Sequence, residues 1–144
     1  MTSTELENLV ALGTLKREPC TAREFAGLVR SGEARLSDAA NAALALESRF
    51  DLAYNAAHAL ALAALRSKGY RSDNRYVVFQ VLPFTLGLPA PIWRVLAKCH
   101  ERRNLAEYEG VVDVDQRLMV DLLAAARAVL DAIRALGPTE RPLG

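Results

Sequence analysis

The feature that most constrains the fold is residues 38–68, a segment without proline or glycine whose apolar residues recur at helical spacing. Intervals of four and three alternate along it, and the apolar residues that they separate are Leu46, Phe50, Ala53, Ala57, Leu60 and Ala64. Those intervals place the side chains in one stripe along a helix, which is typical of helical bundles. We expect a single helix here, capped by Ser37 and ended by Gly69.

The last part of the chain repeats this pattern over residues 115–136. Its apolar residues are again three and four apart, and they are Met119, Leu122, Ala126, Val129, Ile133 and Leu136. Gly137 and Pro138 then end the predicted helix. Before it, we expect a helix over residues 92–109 that opens after two prolines and ends at Gly110.

Residues 69–88 give a mixed signal. GYRSDN, at 69–74, predicts a turn. Residues 76–82 have the propensity of a strand, but a lone strand would find no pairing partner in this chain. We therefore expect a short helix that is disturbed at Pro83.

The N-terminal residues carry two shorter helical signals. Thr4 with Glu7 and Thr21 with Glu24 have the spacing of a capping box, and Gly32 is expected to end the second helix. Aromatic residues make up only 6% of the chain, so alanine and leucine carry its apolar content and favour helix over sheet.

Together these signals predict one all-α domain. Its core is a four-helix up-and-down bundle over residues 37–137, built from three longer helices and the short one around Pro83. Residues 1–36 form an N-terminal helical extension, and residues 138–144 form a flexible tail.

Charge and cysteine content narrow the function classes. The formal net charge is +1, so any surface for an anion must come from local clustering. The two cysteines are far apart and the N-terminus is acidic, which indicates a reduced, cytoplasmic protein without an export signal. The most apolar run, 52–65, is too short to span a membrane. No metal or cofactor motif is present, so we expect neither.

A charged residue interrupts the apolar stripe of the helix that follows the two prolines. Arg103 is aligned with the apolar residues Ile92, Leu96, Cys99 and Ala106. His100 and Glu107 are its neighbours at helical spacing, and Asn104 and Tyr108 lie beside them. Arginine offers a planar fork of donors for phosphate, and histidine titrates near neutrality. The cluster predicts either a site that binds or cleaves phosphodiesters, or a simple ion pair of Arg103 with Glu107.

A second polar set lies on the longest predicted helix. Glu47, Asp51, Asn55 and His58 are four, four and three residues apart, and Tyr54 is adjacent. Such a row can be the solvated side of an amphipathic helix. In the alternative interpretation it faces the arginine-bearing helix and shapes a polar groove, with Tyr54, Asn55 and His58 as ligand-binding residues.

Three stretches within roughly residues 40–136 resemble a known family. They are RFDLAYNAAHALALAALRSKGYR, RRNLAEYEG and VDQRLMVDLLAAARAVLDAI. Their order and pattern resemble the HEPN superfamily, the higher eukaryote and prokaryote nucleotide-binding domains. The resemblance is to its small prokaryotic members with an Ala-acid-Tyr signature, here Ala106, Glu107 and Tyr108.

The resemblance implies a four-helix bundle that is usually dimeric. Many members are metal-independent endoribonucleases in which an arginine and a histidine, separated by four residues, meet in a cleft between two subunits. In this sequence Arg103 corresponds to that arginine and Asn104 to the polar residue after it, but Tyr108 stands at the histidine position. Tyrosine has a pKa near 10 and is a poor general base at neutral pH. Members are often encoded beside a minimal nucleotidyltransferase, as toxin and antitoxin.

The resulting hypothesis is a homodimer that binds RNA or a nucleotide in a dimer cleft, in a toxin–antitoxin or defence-type system. Arg103 would hold phosphate, Asn104 would orient it and Tyr108 would donate to it, while His100 is the nearby residue able to act as a base. Two alternatives stay open. One is an active endoribonuclease, and the other is a non-catalytic bundle that binds a partner protein.

Overall fold

The structure is a computed structural model, and it describes residues 3–110 and 114–143. The helices in those residues are α1 (Thr4–Ala11), α2 (Ala22–Ala39), α3 (Leu46–Ser67), α4 (Arg75–Gln80), α5 (Leu82–Thr85), α6 (Ala90–Glu109), α7 (Gln116–Arg134) and a short 3-10 helix, Pro138–Glu140. Two short strands, β1 (Lys16–Arg17) and β2 (Tyr70–Arg71), pair antiparallel. The predicted all-α class is confirmed, whereas the up-and-down four-helix arrangement stays a prediction.

Helix α3 is the centre of the core. Helices α2 and α7 pack along it, and α6 contacts α3, α4 and α7. Buried side chains occur on nearly every side of α3, and most of them are alanines: Ala53, Ala56, Ala57, Ala59, Ala61, Ala63 and Ala64. Because alanine adds only a methyl group, the neighbouring helices can approach α3 closely from several directions.

The predicted boundary between the second and third helices was wrong. Ser37 lies inside α2, which continues through Gly32 to Ala39, and α3 begins at Leu46. Gly32 does not end a helix, because it is buried where α2 crosses α3. The predicted division between an extension and the bundle, after residue 36, therefore falls within α2, a long helix that packs along α3.

Two glycines of α2 should respond in opposite ways to alanine. A Cβ at Gly32 would lie 2.5 Å from Leu60 Cγ, so we expect Gly32→Ala to lower the free energy of unfolding by about 1–2 kcal/mol through overpacking. A Cβ at Gly27 would meet no atom within 4 Å, so Gly27→Ala should raise it by about 0.5–1 kcal/mol through helix propensity. Urea unfolding of both variants measures the difference, and equal shifts would contradict this packing.

The other predicted helix boundaries agree well with the structure. Thr21 caps α2 by accepting a hydrogen bond from the backbone N–H of Glu24 at 3.1 Å, although Ser3 rather than Thr4 caps α1. The short helix is interrupted near Pro83, as expected, and is divided into α4 and α5. Gly110 ends α6 with φ of 74°, a backbone conformation that favours glycine.

The predicted turn at residues 69–74 is only partly correct, because Tyr70–Arg71 is β2. The strand pair is held to the core by Arg66, whose side chain is only 2% exposed. Arg66 donates to the backbone carbonyls of Glu18, Pro19 and Tyr70 at 2.8, 2.9 and 3.2 Å. It also forms two hydrogen bonds of 3.0 Å with the carboxylate of Glu24.

The C-terminal residues make local contacts. Arg141, in the predicted tail, donates from Nε to the backbone carbonyl of Leu136 at 3.2 Å. Residue 144, also in the predicted tail, lies outside the described residues. Among residues 3–110 and 114–143, no helix has both the length and the apolar character needed to cross a membrane.

Candidate functional site

A polar cleft of about 240 Å³ opens between α3, α4 and α6. The residues that line it are Tyr54, Asn55, Arg75, His100, Arg103, Asn104 and Glu107. All of them except Arg75 belong to the two polar sets proposed from the sequence. The cleft therefore brings together the middle of the row on α3 and the cluster on α6.

His100 links the two sides of the cleft. Its Nδ1 atom lies 2.8 Å from the Tyr54 hydroxyl, and its Nε2 atom lies 3.1 Å from the Asn104 amide nitrogen. Because that amide nitrogen can only donate, Nε2 accepts and the ring proton is on Nδ1. Nδ1 then donates to the Tyr54 oxygen, which leaves the hydroxyl proton of Tyr54 available for another acceptor.

The surroundings keep His100 neutral. Burial lowers its pKa below the ordinary value, and the charge of Arg75 lowers it further, while Glu101 and Glu107 oppose the shift. Protonation of Nε2 would also set a donor against the donating amide of Asn104. Burial raises the pKa of Tyr54, so its phenol keeps its proton near neutral pH.

Arg103 forms an ion pair across the cleft rather than along its own helix. Its Nε atom lies 2.8 Å from Asp51 Oδ1, on α3, and Glu107 is not its partner among the described residues. The buried Nε–H is not directed at that oxygen and makes no hydrogen bond. The side chain of Asp51 is 50% exposed, so the pair is accessible to solvent and to ligands.

Arg75 is held in the cleft by neutral groups. It donates to Asn55 Oδ1 at 3.2 Å, and its guanidinium carbon lies 5.6 Å from the centre of the Tyr54 ring. Asn55 is itself fixed by donating to the backbone carbonyl of Asp51 at 2.9 Å. No carboxylate forms an ion pair with Arg75 in the described part of the chain, so its charge is not neutralised by a direct partner.

Besides Asp51, three residues of the predicted sets lie outside the cleft lining. His58 is partly buried and meets Phe79 edge to face, with ring centres 6.0 Å apart. Tyr108 is 90% exposed, and Glu47 is exposed near the start of α3. None of the three lines the cleft. Tyr108 follows Asn104 by one helical turn, so it stands beside the rim.

Arg75 lines the cleft but is not among the candidate residues predicted from the sequence. Its position depends on the chain reversal after α3, where β2 and the Asn74 cap of α4 set the direction of the next helix. The Asn74 cap accepts from the backbone N–H of Val77 at 3.3 Å. An asparagine immediately before a short apolar helix is a readable cap signal, but it does not reveal which neighbour Arg75 meets.

No group of three or more histidine, cysteine, aspartate or glutamate side chains that could hold a metal ion occurs in residues 3–110 and 114–143. Comparison of the chain with protein-family models, curated proteins and solved structures finds no match. The resemblance to the HEPN superfamily therefore stays a prediction from the sequence pattern.

Proposed function

We propose that this protein binds RNA or a ribonucleotide through the cleft between α3, α4 and α6. The observation that carries the proposal is that two arginines, Arg75 and Arg103, line the same polar cleft. Arg75 has no carboxylate partner among the described residues, whereas Arg103 forms an ion pair with Asp51. Guanidinium groups match the oxygens of a phosphate, and positive charge that is not neutralised in place attracts one.

The other groups of the cleft complete a ribonucleotide-sized set of contacts. The hydroxyl proton of Tyr54 can be donated to a phosphate oxygen, and the carboxylate of Glu107 can accept from a ribose hydroxyl. At about 240 Å³ the cleft is smaller than typical pockets for drug-sized ligands, roughly 300–1,000 Å³, which suits a ribose phosphate rather than a whole cofactor.

Binding is favoured over cleavage by two features of the cleft. His100 is the group best suited to act as a base, but both of its ring nitrogens are engaged, by Tyr54 and Asn104. Tyr108 is 90% exposed and outside the lining. Cleavage would therefore require Asn104 to release Nε2, and the endoribonuclease alternative stays second.

The assembly around the cleft is part of the proposal. Leu105 and Tyr108 are exposed on the face of α6 beside the cleft, and a second copy of the chain would cover them. A homodimer, a minimal nucleotidyltransferase partner and a toxin–antitoxin or defence-type role in the cytoplasm stay predictions from the sequence, as does the alternative of a bundle that binds only a partner protein.

The test is a titration of a short, labelled single-stranded RNA into purified protein at low salt, where electrostatic binding is strongest. We expect Arg75→Gln and Arg103→Gln each to weaken binding about tenfold, the value of one charge-assisted contact. Arg127→Gln is the matched control, because Arg127 is exposed on α7 and outside the cleft. A DNA strand of the same sequence should bind more weakly, since it offers Glu107 no ribose 2′-hydroxyl.

The same samples separate the alternatives. If Arg75→Gln and Arg103→Gln bind no more weakly than Arg127→Gln, the cleft is not the binding site. Shortened RNA on a denaturing gel, present with wild type and absent with Arg103→Gln, would favour the endoribonuclease. No binding by wild type at low salt would favour the partner-binding bundle.

A further inference from the structure

An exposed aromatic pair lies next to the cleft. Tyr76, in the first turn of α4, is 36% exposed, and Trp93, near the start of α6, is partly exposed. Their ring centres are 6.1 Å apart and their planes are nearly perpendicular, at 87°. The pair is therefore a fixed arrangement of two rings that both reach the surface.

The pair is continuous with the cleft in two ways. Tyr76 directly follows Arg75, which lines the cleft. Trp93 precedes His100 by two helical turns, so it lies on nearly the same face of α6, about 10 Å along the axis. A strand that places a phosphate between Arg75 and Arg103 can therefore extend along α6 to the two rings.

The charge around the pair indicates what would cover it. Arg75 precedes Tyr76 in the chain, and the guanidinium carbon of Arg94 lies 6.0 Å from the centre of the Trp93 ring. An aromatic surface flanked by arginines combines stacking with attraction for a phosphate backbone, which is how proteins bind single-stranded nucleic acid. An apolar protein helix would bury the rings equally well but would leave both guanidinium groups facing its apolar side chains.

We propose that Tyr76 and Trp93 form a stacking subsite for an unpaired base of single-stranded RNA whose phosphate occupies the cleft. This inference rests on the proposed function and deepens it, because it makes the ligand an oligonucleotide rather than a free phosphate or nucleotide. The base would stack on the exposed ring surface, and Arg94 would meet the next phosphate along the strand.

Trp93 is the only tryptophan of the chain, so its fluorescence reports on this subsite directly. The two probes are a single-stranded oligoadenylate hexamer, which has bases, and inorganic tripolyphosphate, which has none. We expect the hexamer to quench Trp93 emission and tripolyphosphate to bind without quenching it. Tyr76→Leu should weaken hexamer binding about tenfold and leave tripolyphosphate binding unchanged, since one stacked base is lost.

Phe84→Leu is the matched control, because Phe84 is also an exposed aromatic residue, at 42%, but lines a different cavity with Lys68 and Tyr70. The subsite is overturned if the hexamer binds wild type without changing Trp93 emission, or if Tyr76→Leu binds it as tightly as Phe84→Leu does. In either case tripolyphosphate binding that is sensitive to Arg75→Gln would leave the proposed function standing. If neither probe binds wild type, the proposed function and the subsite both fail. Should Tyr76→Leu not fold, the wild-type quenching comparison decides alone.

Discussion

Replacing Arg66 with methionine is expected to lower the free energy of unfolding by about 3 kcal/mol, the largest effect of any substitution considered for this chain. The side chain is 2% exposed, and it satisfies three backbone carbonyls as well as the carboxylate of Glu24. Methionine fills much of the volume but offers no donor, so these buried and part-buried acceptors lose their partners. Thermal or urea unfolding followed by circular dichroism measures the change.

Arg71→Met is the matched control for this prediction. Arg71 belongs to the same network and pairs with Glu18 and Glu24, but its side chain is 43% exposed. Exposed ion pairs contribute about 0–1 kcal/mol, so the control should lose less than 1 kcal/mol. Equal losses in the two variants would mean that Arg66 acts as an ordinary surface charge rather than as the anchor of the strand pair.

Mild acid should destabilise the fold through His58. Burial lowers the pKa of His58 from its usual 6.5 to about 4, and the charge of Arg75, together with that of His100 when it is protonated, contributes. Below pH 6.5 the unfolded chain therefore takes up a proton that the folded state resists, so stability falls as the pH falls. Over about 1.5 pH units, from 6.5 to 5, the expected loss is about 2 kcal/mol.

Urea unfolding of wild type and of His58→Leu at pH 7 and pH 5 tests this. In His58→Leu most of the pH dependence should disappear, and the remainder should come from His100, whose pKa is also lowered. The carboxylates of Glu7 and Glu24 stay ionised in this range, because their pKa values are held below the ordinary one by Arg17 and Arg66. If His58→Leu keeps the full slope between pH 7 and pH 5, the histidine is not protected from protonation in the folded state.

The periodicity of apolar residues correctly predicted which faces of the long helices are buried. The stripes of α6 and α7 lie where the spacing placed them, because three- and four-residue intervals fix which side chains share a face. The break between α2 and α3 was missed because residues 40–45 contain neither proline nor glycine. Gly32 was misread because its role is set by Leu60, a residue of another helix.

The candidate site was also predicted in part from helical spacing, and its remaining features depend on tertiary structure. Helical spacing alone placed His100, Asn104 and Glu107 on one face of α6. The contact of Tyr54 with His100 depends on the register between two helices, which no local pattern records. The position of Arg75 likewise follows from tertiary structure, so it was not among the site residues predicted from the sequence.

The alanines of α3 affect the shape of the cleft, although none of them lines it. Tyr54 and His100 stand 2.8 Å apart because α3 and α6 come close enough for a hydrogen bond between their side chains. Because the side chains along α3 are small, the neighbouring helices can lie close to it. The methyl groups of these alanines therefore set the distance between α3 and the helices that pack on it. Substitution of these alanines by larger residues would move the cleft residues of α3 away from those of α6, although every residue that lines the cleft would be unchanged.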